Sequence, residues 1–135
     1  MGFDVFGPSR HVCVSNVDGP GPLYDIFSLP KILGVGCPRL EDLNRRYYDS
    51  TTLRFDRGKI HGVRDELVRL QQAYRKRREP ELMLEHGVRA RSIAIRAAIA
   101  EKLLHQDPTF HALDEFRLLC EEAIAAGADV RCEGD

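Results

Sequence analysis

The apolar residues that follow Arg57 recur at intervals of three and four, and this spacing constrains the fold more than any other feature of the 135-residue chain. The first set forms one stripe: Ile60, Val63, Leu67, Leu70 and Tyr74. Such a stripe is typical of an amphipathic helix that buries one side against a core. Because a proline disfavours helical geometry in the residue before it, Pro80 predicts that this helix ends near Arg78. Residues 81–86 are too few to show a period, so either a helical turn or a buried strand fits them.

Two more helices are predicted after Pro80. Ser92 is a suitable N-cap for a helix that continues to about His105. Thr109 can cap a last helix that ends at Gly127. The inward side of this last helix is predicted to carry Phe110, Leu113, Phe116, Cys120, Ala123 and Ile124.

The helix predicted between Ser92 and His105 has two apolar sides. One stripe runs through Ile95, Ile99 and Leu103, and the other runs through Ile93, Ala97, Ala100 and Leu104. A helix of this kind either lies between two layers of its own domain or gives one side to a partner. Small domains commonly place a central helix between two layers, so we expect the first arrangement.

In the first third of the chain, glycine and proline interrupt short apolar runs. Residues 3–6 and 11–14 flank a short segment with Gly7 and Pro8, which predicts a β-hairpin. Residues 40–47 show helical spacing. So do residues 23–33, until Pro30 interrupts them.

The predicted architecture is α+β, with a small antiparallel sheet packed against several amphipathic helices. The sheet consists of the N-terminal hairpin and a short C-terminal strand at residues 128–132. We expect one domain over residues 1–135, in which residues 1–57 are rich in strands and turns and residues 58–127 are helical.

The composition, with 43% hydrophobic and 30% charged residues, is that of a folded globular domain. A net charge of −1 provides no overall field that would attract nucleic acid or an anionic membrane. No run of 18 apolar residues is present, so a membrane span is not expected. Cys13, Cys37, Cys120 and Cys132 form no CxxC pair and follow no secretory leader, which predicts reduced thiols in a cytoplasmic protein.

The usual patterns of catalytic and cofactor sites are not found in the sequence. The histidines and cysteines lack the close spacing of zinc sites. No G-x-S-x-G motif is present, and the prolines of the Gly-Pro-Gly-Pro segment at 19–22 remove N–H donors that a phosphate loop needs. We therefore predict no catalytic, cofactor-binding or metal-binding residues, and a protein that is not an enzyme.

Charge is unevenly distributed along the chain. Residues 69–96 contain eight basic and three acidic residues, and residues 101–135 contain nine acidic and three basic residues. On the last helix a leucine is surrounded by carboxylates, an arrangement that protein interfaces use as an apolar anchor with a charged rim. The predicted partner-binding residues of this acidic face are Asp114, Glu115, Leu118, Glu121 and Glu122.

Several segments also carry a family resemblance. They read FSLPKILG at 27–34, PRLEDL at 38–43, YY at 47–48 continuing to residue 53, VRDELVRL at 63–70, and the stretch 110–130 that ends in AGADV. In this order they resemble small bacterial immunity proteins of polymorphic-toxin systems. The resemblance implies a cytoplasmic inhibitor for interbacterial competition, which binds a cognate toxin protein and blocks it without cofactors, membrane or nucleic acid.

Two other functions remain open beside this one. A small nucleic-acid-binding or regulatory module could use the basic region 69–96, although the Arg-Lys-Arg-Arg run at 75–78 lacks the interleaved aromatic residues of such sites. An enzyme of another type would need a pocket with converging polar groups. Self-association into a homo-oligomer is also left open by the sequence.

Overall fold

The computed structural model describes residues 2–16, 26–47, 52–55 and 57–134. In chain order the elements are β1 (Gly2–Phe6), β2 (His11–Asn16), a single 3-10 turn (Ile26–Ser28), α1 (Leu29–Leu33), α2 (Pro38–Tyr47), β3 (Thr52–Phe55), α3 (Arg57–Glu85), α4 (Ile93–Gln106), α5 (Pro108–Ala126) and β4 (Val130–Gly134). Strands from both ends of the chain combine with helices from the middle. The predicted α+β class is therefore confirmed.

The four strands form one antiparallel sheet in the order β2-β1-β4-β3. The N-terminal hairpin is confirmed, with Val5 opposite Val12. On the other side of β1, Val5 lies opposite Cys132 of β4. The first and last strands thus form the centre of the sheet, and folding must bring the two ends of the chain together.

Two strand predictions were wrong in detail. The C-terminal strand begins at Val130 rather than at residue 128, because the N–H of Ala128 still donates to the carbonyl of Ala123 at 2.9 Å and closes α5. The strand β3 was not predicted at all. Four residues give no usable period, and the position of β3 is determined by its pairing with β4, far along the chain.

The sheet has one covered and one open face. Its inner face is formed by buried apolar residues: Val5, Val12, Val14, Val130 and Cys132. On the outer face, the ring of Phe6 stacks on His11 with centroids 4.4 Å apart, and the Arg131 guanidinium lies 4.9 Å from the Phe6 ring centre. The helices therefore cover the apolar side of the sheet only.

The long helix α3 provides the main surface on which the other helices pack. Its five predicted stripe residues, from Ile60 to Tyr74, are all buried, as expected. Glu66 is buried as well, and its carboxylate accepts hydrogen bonds from the backbone N–H groups of Arg39 and Leu40, both at 2.9 Å. It thereby satisfies open donors in the first turn of α2, where a negative charge also suits the helix dipole.

The prediction that this helix ends near Arg78 was wrong, because α3 continues through Pro80 to Glu85. A proline inside a helix removes one hydrogen bond and crowds the preceding turn. The turn that follows compensates by burying Leu82 and Met83. The sequence spacing left helix and strand open for residues 81–86, and the structure shows helix up to Glu85. The burial of Leu82 and Met83 outweighs the local cost of the proline.

A left-handed glycine ends α3. Gly87 has φ of 60°, which a residue with a side chain rarely adopts. Its N–H donates to the carbonyl of Leu84 at 3.1 Å, and the N–H of Val88 donates to that of Met83 at 3.0 Å. These two bonds form a Schellman motif, which closes α3 and turns the chain toward α4.

The N-cap prediction for α4 was confirmed and the N-cap prediction for α5 was wrong, whereas the predicted end of α5 at Gly127 was confirmed. The Ser92 hydroxyl accepts the N–H of Ile95 at 3.4 Å and begins α4. The N-cap of α5 is Asp107 rather than Thr109: its carboxylate accepts the N–H of Phe110 at 3.0 Å. Pro108 then occupies the first turn, where a proline loses no hydrogen bond. The Asp-Pro pair therefore both ends α4 and begins α5.

The short helices before α3 agree in part with the sequence. The spacing at 40–47 is confirmed by α2, whereas Pro30 lies in the first turn of α1 rather than interrupting a helix. Within the predicted set 23–33, residues 23–25 lie outside the described residues, as does the 19–22 segment.

Candidate functional site

The predicted acidic face lies on α5, next to the β1–β2 turn and α3. Its five residues, Asp114, Glu115, Leu118, Glu121 and Glu122, are all half-buried. The opposite side of α5 buries the predicted inward residues, with Ile124 only partly covered, and it also buries Leu119, which the sequence analysis did not place there. Leu118 is therefore less exposed than an anchor in the middle of a free polar surface would be.

Arg10 holds two carboxylates of this face. Its Nε and Nη2 donate to Glu122 at 3.1 and 2.8 Å, and its Nη1 pairs with Glu115. The Ser9 hydroxyl donates to Glu122 at 3.1 Å. Hydrogen bonds from Arg10, followed by that from Ser9, hold the pKa of Glu122 below its ordinary value. The turn before β2 is thus tied to α5 by charged hydrogen bonds.

Arg117 neutralises the remaining carboxylates of the acidic face. It donates to Asp114 at 2.7 Å and to Glu121 at 2.9 Å, and Gln71 of α3 bridges Asp114 and Arg117. Burial opposes ionisation of Asp114, but the bonds from Arg117 and Gln71 outweigh it and lower the pKa. The structure therefore shows ion pairs where the sequence suggested free carboxylates.

An open groove of about 580 Å³ lies between α3, α4 and α5. Arg75 pairs with Glu101, and His105 Nε2 lies 3.1 Å from the same carboxylate. Phe110 lies beneath them, with the Arg75 guanidinium 5.1 Å from its ring centre. The hydrogen bond from Arg75 lowers the pKa of Glu101. As far as the structure describes its lining, the groove contains no serine, threonine or cysteine that could act as a nucleophile beside His105.

Much of the basic region 69–96 is satisfied within the protein. Arg69 and Arg77 donate to the backbone carbonyls of Gly36 and Ile32. Arg78 contacts three carboxylates, those of Glu81, Glu85 and Asp107, at 2.9–3.0 Å. With Arg75 also paired, the basic run at 75–78 is not a free phosphate-binding strip.

Asp107 is the centre of a buried polar cluster. Its carboxylate accepts hydrogen bonds from Tyr74 Oη at 2.8 Å, Arg78 Nε at 3.0 Å and the N–H of Phe110. Burial, and then the bond to Asp107, raises the pKa of Tyr74. Tyr74 and Arg78 belong to α3 and Phe110 to α5, and Asp107 itself is the C-cap of α4, so the cluster connects these three helices. Sequence reasoning treated Asp107 only as a helix break.

The first turns of α4 extend beyond the body of the protein. We call residues 89–98 the α4 tip. Ile93 belongs to the stripe that is buried farther along at Ala100 and Leu104, yet Ile93 is 87% exposed. Ile95 is 55% exposed, and Leu84 at the adjoining end of α3 is 84% exposed. The expectation that α4 lies between two layers is therefore wrong for its first half, where its own domain offers no covering surface among the described residues.

Within the described ranges, the arginines of the α4 tip have no acidic partners. Across the described residues, Arg89 and Arg91 form no ion pair, and Arg96 donates only to the carbonyl of Ala90 at 3.1 Å. The sequence from 86 to 100 contains no aspartate or glutamate. The two apolar stripes of α4 were the sequence signal for this surface, but they do not reveal how far the rest of the domain reaches along the helix.

The buried cysteines are suited to packing rather than to nucleophilic chemistry. The three buried cysteines, Cys37, Cys120 and Cys132, form no disulfide within the described residues. Burial raises the pKa of Cys37 to about 11 and the pKa values of Cys120 and Cys132 to about 12, so these thiols are protonated at neutral pH. Cys120 lies on the inward side of α5, as predicted.

The described residues also form neither a metal site nor a membrane-spanning helix. No three histidine, cysteine, aspartate or glutamate side chains there are grouped so that they could hold a metal ion. None of the helices in these ranges has the length and apolar character needed to cross a membrane.

The comparisons with known proteins add no assignment to this geometry. No family model matches the chain, and neither a curated protein nor a solved structure is significantly similar to it. The two surfaces just described, the ion-paired acidic face of α5 and the exposed α4 tip, are thus the basis on which a function can be argued.

Proposed function

We propose that this chain is a non-catalytic immunity protein of the bacterial cytoplasm, which binds a cognate toxin domain and neutralises it by steric and electrostatic occlusion. The observation that carries the proposal is the exposure of the α4 tip, where each of the two apolar sides of the helix has an uncovered isoleucine. Ile93 and Ile95 face water at the end of a helix whose continuation is buried. The resemblance of the sequence to immunity proteins names the class of partner.

The energetics of burial support a binding role for this tip. Covering an exposed isoleucine stabilises a complex by about 1.5–3 kcal/mol. Two such residues on a projecting helix can form the centre of an interface, with arginines at its rim. An interface of standard size buries about 800 Å² on each partner, so the tip would form its core and neighbouring residues its margin.

The acidic face has a different part in this proposal. Its residues, Asp114, Glu115, Leu118, Glu121 and Glu122, remain a predicted second contact region. Their carboxylates already bind Arg10 and Arg117. A partner that recruits them must first compete with these internal ion pairs, whereas a partner at the α4 tip displaces only water.

The proposal is tested by a growth assay. The reading frame beside the gene is expressed alone and together with this chain; the expected result is growth arrest in the first case and protection in the second. Isothermal titration with the purified toxin domain is expected to give one-to-one binding. An inactive neighbour product, or toxicity that this chain does not relieve, would refute the immunity function.

Substitutions at the α4 tip test whether protection from the toxin depends on this surface. The double variant Ile93→Asp/Ile95→Asp is expected to bind the toxin at least about thirtyfold more weakly, as for a hot spot, with an unchanged melting temperature. The matched control is Ile32→Asp, which alters a partly exposed isoleucine of α1, 42% accessible, away from the tip. Equal protection by both variants would exclude the α4 tip as the contact.

A second candidate function is nucleic-acid binding through the basic region. Arg89 and Arg91, which form no ion pair with the residues that the structure describes, favour it, although exposed isoleucines are not needed to contact phosphates. At low salt, a short RNA or DNA duplex should then bind the wild type and lose affinity on Arg89→Glu/Arg91→Glu. Absence of binding at low salt would exclude this alternative.

A further inference from the structure

Within the described residues, three arginines that contact no carboxylate lie close together at the α4 tip. Most arginines elsewhere contact a carboxylate: Arg10, Arg39, Arg45, Arg46, Arg64, Arg75, Arg78, Arg117 and Arg131 lie within 4.0 Å of one. At the tip three arginines lie in a stretch without any acidic residue. This stretch also contains the two exposed isoleucines of α4.

The position of these arginines relative to the isoleucines is fixed by the helix start. Arg89 and Arg91 precede the Ser92 cap, and Ile93 is the first residue of α4. Arg96 follows one turn later and is held toward the loop by its bond to the Ala90 carbonyl. Positive groups therefore lie on both sides of the exposed apolar residues along the chain. Any surface that covers the isoleucines must come close to these guanidinium groups.

We infer that the α4 tip binds an acidic partner protein by inserting end-on into an apolar depression, which covers Ile93 and Ile95 on the two sides of the helix while Arg89 and Arg91 pair with carboxylates around it. This inference rests on the proposed function and specifies its partner: the toxin domain must present an acidic surface at this contact. Guanidinium groups form two parallel hydrogen bonds with a carboxylate, which gives such a rim both orientation and selectivity.

A second copy of the chain does not fit this surface. A symmetric contact between two tips would place Arg89, Arg91 and Arg96 of one copy against the same residues of the other, and like charges across an interface are unfavourable. A contact with the acidic face of another copy would have to displace its internal ion pairs, and a head-to-tail contact of this kind tends to form open chains of molecules. Charge complementarity therefore favours a different, acidic protein.

A lipid surface is also a poorer match than an acidic protein. Helices that lie on membranes carry a continuous apolar side with large residues, often aromatic, over several turns. At the α4 tip Ile93 and Ile95 lie on two different sides of the helix, and the stripe that begins with Ile93 is already buried in the domain from Ala100 onward. The tip is too short for a helix bound along its length to a bilayer, but it is long enough for insertion into a protein depression.

The inference is tested on the full chain with a charge-reversal pair. Arg89→Glu/Arg91→Glu changes the two arginines of the α4 tip whose side chains form neither an ion pair nor a hydrogen bond within the described residues. The matched control Lys102→Glu reverses an exposed charge on the same helix, outside the tip. Both proteins should keep the melting temperature of the wild type, because neither change removes an ion pair or a side-chain hydrogen bond within the described residues.

One arm of the experiment uses a probe that does not depend on the toxin. A phage library of random peptides, each long enough for about four helical turns, is selected on wild type, on the double variant and on the control. Wild type and Lys102→Glu are expected to enrich peptides that combine apolar residues with net negative charge. The double variant is expected to lose that enrichment. Peptides without charge bias, or equal selection by all three proteins, would overturn the inference.

The second arm measures affinity for the toxin domain at about 0.05 and about 0.5 M NaCl. Wild type should bind at least about tenfold more weakly at high salt, and the double variant should bind at least about tenfold more weakly than wild type at low salt. If wild type gives no protection in cells, the proposed function fails, while the peptide arm still decides on the acidic partner. If wild type protects and charge reversal has no effect, only the inference fails.

Two further probes identify other classes of ligand. Phosphatidylglycerol vesicles and a short RNA duplex are each titrated at low salt with wild type and the double variant. Binding of either probe that depends on Arg89 and Arg91, without enrichment of acidic peptides, would overturn the inference in favour of phosphate groups.

Discussion

The acidic face of α5 and the α4 tip are both charged surfaces with apolar residues among the charges, but only one of them is satisfied by its own protein. On α5 the carboxylates bind Arg10 and Arg117, and Leu118 is half-buried. On α4 the arginines lack acidic partners among the described residues, and Ile93 is almost fully exposed. Charge counted along a sequence therefore says little about binding until the internal partners are known.

The largest expected difference concerns stability. Phe116→Ala, on the buried side of α5, is expected to lower the free energy of unfolding by about 3–5 kcal/mol, because it leaves a cavity against α3 and the sheet. Ile93→Ala at the α4 tip is expected to change it by less than about 0.5 kcal/mol. Urea denaturation measures both. A loss above about 2 kcal/mol for Ile93→Ala would mean that the tip is covered by its own chain in solution.

Leu118→Asp separates packing from binding on the acidic face. Because Leu118 is half-buried and gains a charge beside carboxylates, we expect a loss of about 1–2 kcal/mol in the free energy of unfolding. Toxin affinity should change little if the α4 tip is the contact. A variant with wild-type stability and strongly reduced affinity would instead place the interface on the acidic face, and the comparison between the two surfaces would reverse.

Arg10→Met tests whether the acidic face is held by its own ion pairs. The variant leaves Glu115 and Glu122 without their guanidinium and is expected to lower the free energy of unfolding by about 1 kcal/mol, a modest value because all three groups are partly exposed. Arg45→Met is the matched control, since Arg45 is largely exposed and its ion pair is 3.6 Å long. Equal losses of unfolding free energy in the two variants would show that the ion pairs of Arg10 do not stabilise the acidic face.

The smallest expected effect is a pH dependence. Glu122 and Glu101 have folded-state pKa values below their ordinary value of 4.5, owing first to hydrogen bonds from Arg10 and Arg75. The stability from these pairs is complete above that pH and is lost as the pH falls through the lowered values, because the unfolded chain binds more protons. In Arg10→Met, the free energy of unfolding should fall less steeply below about pH 4.5. Parallel curves for variant and wild type would contradict this cause.

Regular spacing made the cores of the helices predictable. The stripe of α3 and the inward side of α5 were identified because a side chain that recurs every three or four residues must meet the same neighbour. Ser92 was identified for a similar reason, since a cap acts within one turn. These are local relations, and a sequence contains them directly.

The errors share a different origin. Helix α3 continues past Pro80 because of the burial of Leu82 and Met83, and β3 forms because β4 is present. Carboxylates of the acidic face are paired with Arg10, which lies more than a hundred residues earlier in the chain. Such contacts are long-range, so no pattern within one segment indicates them. The α4 tip was missed for the related reason that exposure depends on where the remainder of the domain ends.

The double role of Asp107 has a geometric consequence for recognition. This one carboxylate fixes the joint from which α4 extends for about 21 Å to Ile93. A tilt of about 10° at this point would displace Ile93 by roughly 3–4 Å. Such a displacement is too large for its side chain to stay in a close-packed pocket. If the α4 tip is the contact proposed above, its orientation toward a partner is set by the buried cluster around Asp107, and we expect substitutions of Tyr74 or Arg78 to alter binding without changing any residue of the tip.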